Sequence, residues 1–404
     1  MLQTGVPPAT QRFDSVDVLR GISIAAVVLL HCYIRFVLSG HSLRAVLPLF
    51  LWRTLFLNGG NGVTVFFAVS GFLITYTSLR RFGSLADLKP GVFYRIRFAR
   101  IAPLLLALLA VLSILHLLHV DAFYISPKRA TLPQALFAAL TFHLNWLEAK
   151  RGYLPANWDV LWSLSIEEMF YLFFPIACVL LLRFRRFGMA MFCLLLTTLI
   201  VLAPMGRTIW AANELEAEKS YLGGMGSIAM GCLTALLLRR WQVRKALPSP
   251  LKLLAIAWSG AVLMLFAEMP FRIPAIGPFV HWIAVRDLDD SLLTLGTCMV
   301  IFGLVARNHA GSAWTAPIRW LGRLSYEVYL THEFFVIGIT LLALRIGHST
   351  GKGLGRGMLA WSVLTLLLSS VFGWLVATYF SEPMNRRLRG APHPAELKAA
   401  PARR

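Results

Sequence analysis

The chain has 404 residues, of which 57% are hydrophobic and only 14% charged, and its formal net charge is +20. Soluble domains run nearer half apolar and a quarter charged, so a water-soluble globular enzyme is excluded; the apolar residues also come in blocks of about 17–23, the length that crosses a ~30 Å hydrocarbon core. No segment shows the short alternating runs of a membrane barrel, so the expected fold is all-α, a polytopic integral membrane protein of about ten transmembrane helices.

Ten spans are predicted, over 18–38, 62–80, 99–119, 161–182, 188–205, 221–239, 251–268, 291–306, 324–345 and 358–380. The expected organisation is a cytoplasmic N-terminal segment over 1–17, a transmembrane domain over 18–383 and a cytoplasmic tail over 384–404, whose Ala- and Pro-rich composition points to disorder. The segment 131–147 is apolar but short, and counting it as a span would reverse the charge pattern downstream. It is expected as a partial or interfacial helix within a folded external element over 120–160. With that count, Arg80, Arg81, Lys89, Arg95, Arg97, Arg100, Arg239, Arg240, Arg386 and Arg387 gather on one side, while Glu214, Glu216, Glu218, Asp287, Asp289 and Asp290 fall on the other. This is the positive-inside pattern, with both termini cytoplasmic. It accounts for much of the basicity, so membrane lipids are expected as partners and nucleic acid is not. All five cysteines fall within spans, which argues against a disulfide framework. The charged lead-in and length of the first span fit a retained helix rather than a cleaved signal peptide.

The first span carries Asp17, Arg20 and His31. Eleven steps at ~100° per residue make about three turns plus ~20°, so Arg20 and His31 share a face roughly 16 Å apart along the axis. Ionisable groups inside a membrane helix are costly and mark function by default, and an imidazole can take and return a proton near neutral pH. The competing reading is an arginine that snorkels to the headgroups beside a histidine bonded to a neighbouring helix. Asp17 and Arg20, three apart, are placed to pair. At the start of the third span Arg97 and Arg100 lie on one face, where two planar forks of donors match phosphate oxygens; a positive-inside anchor is the alternative. The fourth span opens on Ser163, Glu167 and Tyr171 at i, i+4 and i+8, with Glu168 adjacent. A carboxylate buried there either serves the reaction or pairs with an arginine. In the ninth span His332 follows Ser325 by seven, again on one face. His116, His119 and Asp121 lack the partner spacing of a metal site, and no metal is expected. Cys32 is a weak candidate nucleophile, because apolar burial keeps it a thiol. Neither a G-x-S-x-G elbow nor a P-loop is present.

Taken in order, these stretches resemble the bacterial membrane acyltransferase family 3, the glycan and antibiotic O-acyltransferases. The matching residues are Asp17-Val18-Leu19-Arg20-Gly21-Ile22 with His31; Gly62 to Ile74; Arg97-Phe98-Ala99-Arg100; Trp162 to Tyr171; Ser325 to His332; and Ser381-Glu382-Pro383. Thr64 and Ala102 depart from the family's usual Asp and Tyr. The resemblance implies transfer of an acyl group, usually acetyl, from acyl-CoA (acetyl-CoA) to a sugar hydroxyl, in a bacterial cytoplasmic (inner) membrane, on a ten-helix core without the esterase-like domain some members carry.

On that basis Arg97 and Arg100, with Arg20, are expected to hold the CoA phosphates. His31 is expected to act on the acceptor hydroxyl as general base or as acyl-carrying nucleophile. Glu167 would orient the imidazole or the acceptor, with Asp17, Ser163, Tyr171 and His332 in support. The acceptor would be a cell-surface glycan or a lipid-linked sugar, shaped by the 120–160 element and the 269–290 loop. The rival function is a proton-coupled transporter or flippase of a glycan or lipid intermediate; a sensor or assembly scaffold is a third. The lack of the two-fold repeats that many transporters carry argues against transport.

Overall fold

The computed structural model describes residues 12–40, 47–184, 186–268, 283, 287–308, 310–350 and 357–390. Among them the secondary structure is helical throughout. The helices are α1 (Asp14–Leu38), α2 (Leu49–Phe56), α3 (Gly59–Phe82), α4 (Pro90–Leu117), α5 (Leu132–Leu140), α6 (Leu144–Arg151), α7 (Leu161–Leu182) and α8 (Gly188–Arg207). They continue with α9 (Glu214–Glu218), α10 (Tyr221–Val243), α11 (Pro250–Glu268), α12 (Asp289–Ala306), α13 (Ala316–Arg323), α14 (Ser325–Thr350), α15 (Gly357–Val376) and α16 (Glu382–Arg389). Ten helical stretches among the described residues are long and apolar enough to cross a membrane, and each overlaps one predicted span. The tail beyond 390 and most of the 269–290 loop lie outside the described residues.

Without a hydrophobic drive between lipid-facing helices, close backbone approach and polar contacts hold a bundle together. The most enclosed span is α3, with 83% of its apolar window buried against 39% for α1. It lies between α1 and α10. The α3–α10 crossing depends on glycine: a Cβ on Gly71 would stand 1.8 Å from the Ile228 carbonyl oxygen, and one on Gly231 would stand 2.0 Å from that of Ala68. On its other flank α1 packs against α13 and α14. The start of α1 is tied to the segment before α14 by Asp14, whose Oδ2 accepts from Arg319 (2.5 Å) and from the Gly311 amide (2.8 Å).

The region expected as one partial helix over 131–147 is two short ones, α5 and α6. Thr131 and Gln134 form a capping box that starts α5, and the chain breaks at Phe142 with φ 58°. Neither helix is long enough to span a membrane. The element is fastened to α7 and α10 by polar groups that the apolar bundle leaves no alternative. The Lys219 ammonium donates to Glu148 (2.7 Å) and to Asp159. Lys219 and Glu148 are buried, whereas the Asp159 side chain is 25% exposed and shares its charge with water. Burial pushes the Glu148 carboxyl well above its ordinary range; neighbouring Asp159 adds to this and Lys219 opposes it. Asn145 Nδ2 donates to the Lys219 carbonyl (3.0 Å), and the Leu144 amide donates to Ser165 Oγ (3.3 Å).

Removing one member of a buried charge group leaves the others uncompensated, at about 3–5 kcal/mol. Lys219→Met is therefore expected to lower the thermal midpoint of the detergent-solubilised protein strongly. Lys219→Met with Glu148→Leu should recover most of the loss, because Asp159 alone can remain hydrated.

Candidate active site

The polar groups of α1 and α14 meet along one seam. Arg20 donates through Nε (3.1 Å) and a terminal nitrogen (2.8 Å) to Ser325 Oγ. Further along, the His31 and His332 rings meet edge to face with centroids 4.9 Å apart, and His31 Nε2 lies 3.8 Å from Glu333 Oε1. The second oxygen of Glu333 accepts from Arg35 at 3.1 Å. Eleven residues separate the two polar positions on α1 and seven on α14, about 16 Å against 10 Å of rise. The long Arg20 side chain makes up the difference by reaching along the axis. Just before α14, a Cβ on Gly322 of α13 would fall 1.8 Å from the Asp17 carbonyl oxygen, so glycine is the residue that lets α13 lie this close to α1.

Beside this seam lies a cavity of about 120 Å³. Arg20, Arg97 and Arg100 supply its cationic lining, and Glu167, Ser70 and Tyr171 are among its other polar groups. The Arg97 guanidinium stacks 3.6 Å over the Tyr171 ring, a cation–π contact that orients its fork without neutralising it. Ser70 Oγ is hydrogen-bonded to the Tyr171 hydroxyl. Glu167 also hydrogen-bonds Ser70, within electrostatic reach of Arg97, Arg100 and Arg20. Three guanidinium groups and one carboxylate line the cavity, and behind the lining Glu168 lies within electrostatic reach of Arg97 and Arg100, and Glu327 of Arg100 and Arg20. Arg97 Nε is buried and unpartnered among the described residues. An anion with several oxygens is the ligand this lining suits.

The cavity is bounded by Tyr329, Leu330 and Ser163. The Tyr329 hydroxyl donates to the Val160 carbonyl (2.9 Å) and is bonded to Ser163 Oγ (2.7 Å). The Tyr329 ring centre lies 6.0 Å from that of His332. The two imidazoles do not line the cavity; Tyr329 stands between them and it. The His31 side chain is 20% exposed.

A family model described as an acyltransferase domain (Acyl_transf_3) matches residues 13–380. The chain belongs to this acyltransferase family. Among similar curated proteins are a "Putative O-acetyltransferase" of Staphylococcus aureus (strain COL), 26% identical over 70% of this chain and 46% of that protein, and the "Peptidoglycan O-acetyltransferase OatA" of Listeria monocytogenes, 24% identical over 82% of this chain and 50% of that protein. The "Putative peptidoglycan O-acetyltransferase YrhL" of Bacillus subtilis is 25% identical over 68% of this chain and 44% of that protein. The chain thus spans about half the length of the curated relatives it matches. No solved structure matches it.

In this member of the family the predicted residues fall into two groups. Arg20, Arg97, Arg100, Ser163, Glu167 and Tyr171 share the cavity, and His31 and His332 share the seam. Two expectations change. Of the two roles expected for Glu167, orienting the imidazole falls to Glu333, because α14 rather than α7 crosses α1 at that depth, while Glu167 lines the arginine cavity. Asp17 does not pair with Arg20, which turns instead to Ser325; Asp17 is buried with Oδ2 unpartnered. Glu333 and Tyr329 received no role from sequence reasoning. A glutamate in an apolar run was the available signal for Glu333; nothing in the sequence distinguishes Tyr329 from a packing aromatic. His116 accepts from the Ile125 amide (3.1 Å) and stacks on Tyr124. Cys32 is buried in α1.

Hydrogen bonds to a charged group contribute about 1.5–3 kcal/mol. Ser325→Ala is expected to destabilise the acyltransferase by that order and Ser325→Thr by much less, as measured by thermal unfolding in lipid nanodiscs.

Proposed function

We propose that this acyltransferase moves an acyl group, acetyl foremost, from acyl-CoA to a hydroxyl of a cell-surface glycan or lipid-linked sugar in a bacterial inner membrane. The observation that carries the reading is the arginine cavity ending one residue wall from an imidazole–carboxylate pair, in a chain of this family. Arg97 and Arg100 hold the donor's phosphates at the cytoplasmic side, as the charge distribution along the chain suggests. Arg20 lies deeper, bonded to Ser325.

The acceptor approaches the exposed edge of His31. Its hydroxyl oxygen attacks the thioester carbonyl carbon, and His31 takes the hydroxyl proton as the new C–O bond forms. The tetrahedral intermediate collapses with cleavage of the C–S bond, and the imidazolium returns the proton to the departing thiolate. Glu333, itself neutralised by Arg35, stabilises the imidazolium while it lasts. General-base help of this kind supplies roughly 10²–10⁴-fold. The remainder must come from bringing the thioester to about 3–3.5 Å of the acceptor oxygen, past Tyr329. The Listeria relative is named a peptidoglycan O-acetyltransferase, which makes muramyl glycans the first acceptors to test.

Purified protein in nanodiscs, given radiolabelled acetyl-CoA and a muramyl glycan without any ion gradient, is expected to form an O-acetyl ester. His31→Ala should reduce turnover by at least ~10²-fold. Arg97→Ala with Arg100→Ala should raise KM for acetyl-CoA by ~10-fold or more, with a smaller change in kcat. Normal turnover in His31→Ala would remove the imidazole from the chemistry. Substrate movement that needs a proton gradient, with no ester formed, would instead mark a transporter.

A further inference from the structure

The hydrogen atoms of the two imidazoles can be placed from their partners. His332 Nδ1 lies 2.8 Å from the Tyr329 carbonyl oxygen and 3.2 Å from that of Val328. Carbonyl oxygens only accept, so Nδ1 carries the hydrogen and Nε2 the lone pair. That Nε2 lies 3.4 Å from His31 Nδ1, which is itself 2.8 Å from the Val27 carbonyl oxygen. His31 Nδ1 therefore also carries a hydrogen, shared between the Val27 carbonyl and His332 Nε2. The alternative His31 tautomer would set its lone pair against two acceptors at once.

We infer that His332 is a positioning residue that holds His31 in the Nδ1–H tautomer, with Nε2 as the free base. His332 is suited to this because it is fully buried and its own ring is fastened to the backbone of α14. Glu333 Oε1 is buried and without a hydrogen-bond partner among the described residues. It faces the gap that His31 Nε2 also faces, at 3.8 Å. A hydroxyl group entering that gap meets two acceptors and brings the donor they lack. The histidine tautomer stands independently of the acyl-transfer reading; its kinetic consequence rests on that reading.

A second occupant has to be weighed. His31, His332 and Glu333 offer three ligand atoms within 4.8 Å of one another. A divalent cation there would add two positive charges beside Arg35, with one carboxylate to balance all three, inside an apolar bundle where such excess is costly. The charge count favours a neutral hydroxyl.

The test is ¹⁵N solid-state NMR of histidine-labelled full-length protein in lipid, with the His31 signals identified by their loss in His31→Gln. The wild-type protein is expected to show His31 as the Nδ1–H tautomer. His332→Leu should give mixed His31 tautomers and a ~10²-fold lower kcat, with KM for acetyl-CoA within about 2-fold. In His332→Gln the amide oxygen can accept in place of Nε2, and kcat should return to within about 10-fold of wild type. A wild-type His31 protonated only on Nε2 would overturn the inference, even if the variants failed to fold. Unchanged tautomer and kcat in His332→Leu, or a folded His332→Gln no better than His332→Leu, would do the same. So would a stoichiometric transition metal whose removal by chelator shifts both ring signals. If no variant and no wild-type preparation transfers acyl groups, the proposed function fails while the tautomer measurement still decides the role of His332.

Discussion

An ionisable side chain within the hydrocarbon depth of a membrane is tolerated when a neighbouring helix supplies its partner. In this protein that constraint organises the α1–α14 seam. Arg20 reaches Ser325, His31 meets His332 and Glu333, and Arg35 closes on the far oxygen of Glu333. None of these contacts is local in the chain. Each requires α1 and α14 to lie in register, and α13, which leads into α14, lies close against α1 at Gly322. The seam therefore binds the first and ninth spans together and, with the same atoms, presents an imidazole edge backed by a carboxylate.

The cavity answers to a different balance. Arg20 is bonded within the seam, Arg97 is stacked on Tyr171, and Glu168 lies within electrostatic reach of both Arg97 and Arg100. Arg100 is exposed and Arg97 half-buried, so water shares their charge and both guanidinium groups stay open to a polyanionic ligand. Tyr329 then takes on importance beyond packing. Its hydroxyl is bonded to α7 at Val160 and Ser163, so the partition between cavity and imidazoles is itself tied to the helix that carries Glu167.

On the opposite side of α7, the Lys219 triad shows the same physics without the chemistry. It draws a short irregular element onto the ends of α7 and α10, where backbone that cannot form long helices must still find partners. Its ammonium, Lys219, also lies over the rings of Tyr153 and Trp162.

Much of this was legible from residue order alone. Runs of about twenty apolar residues are a one-dimensional property, and so are the 3.6-residue periodicity that puts Ser163, Glu167 and Tyr171 on one face and the asymmetry of basic residues between loops. Those determined the ten spans, the failure of 131–147 to be another, and the sharing of a face by Arg97 and Arg100. Which carboxylate attends His31 was decided only in three dimensions. Glu167 and Glu333 both sit in apolar helices far along the chain, and helical periodicity says nothing about which helix crosses α1 at a given depth. The same limit explains Asp17 and Arg20: spacing shows that two side chains on one helix can meet, but a serine on a neighbouring helix was the partner that packing brought closer.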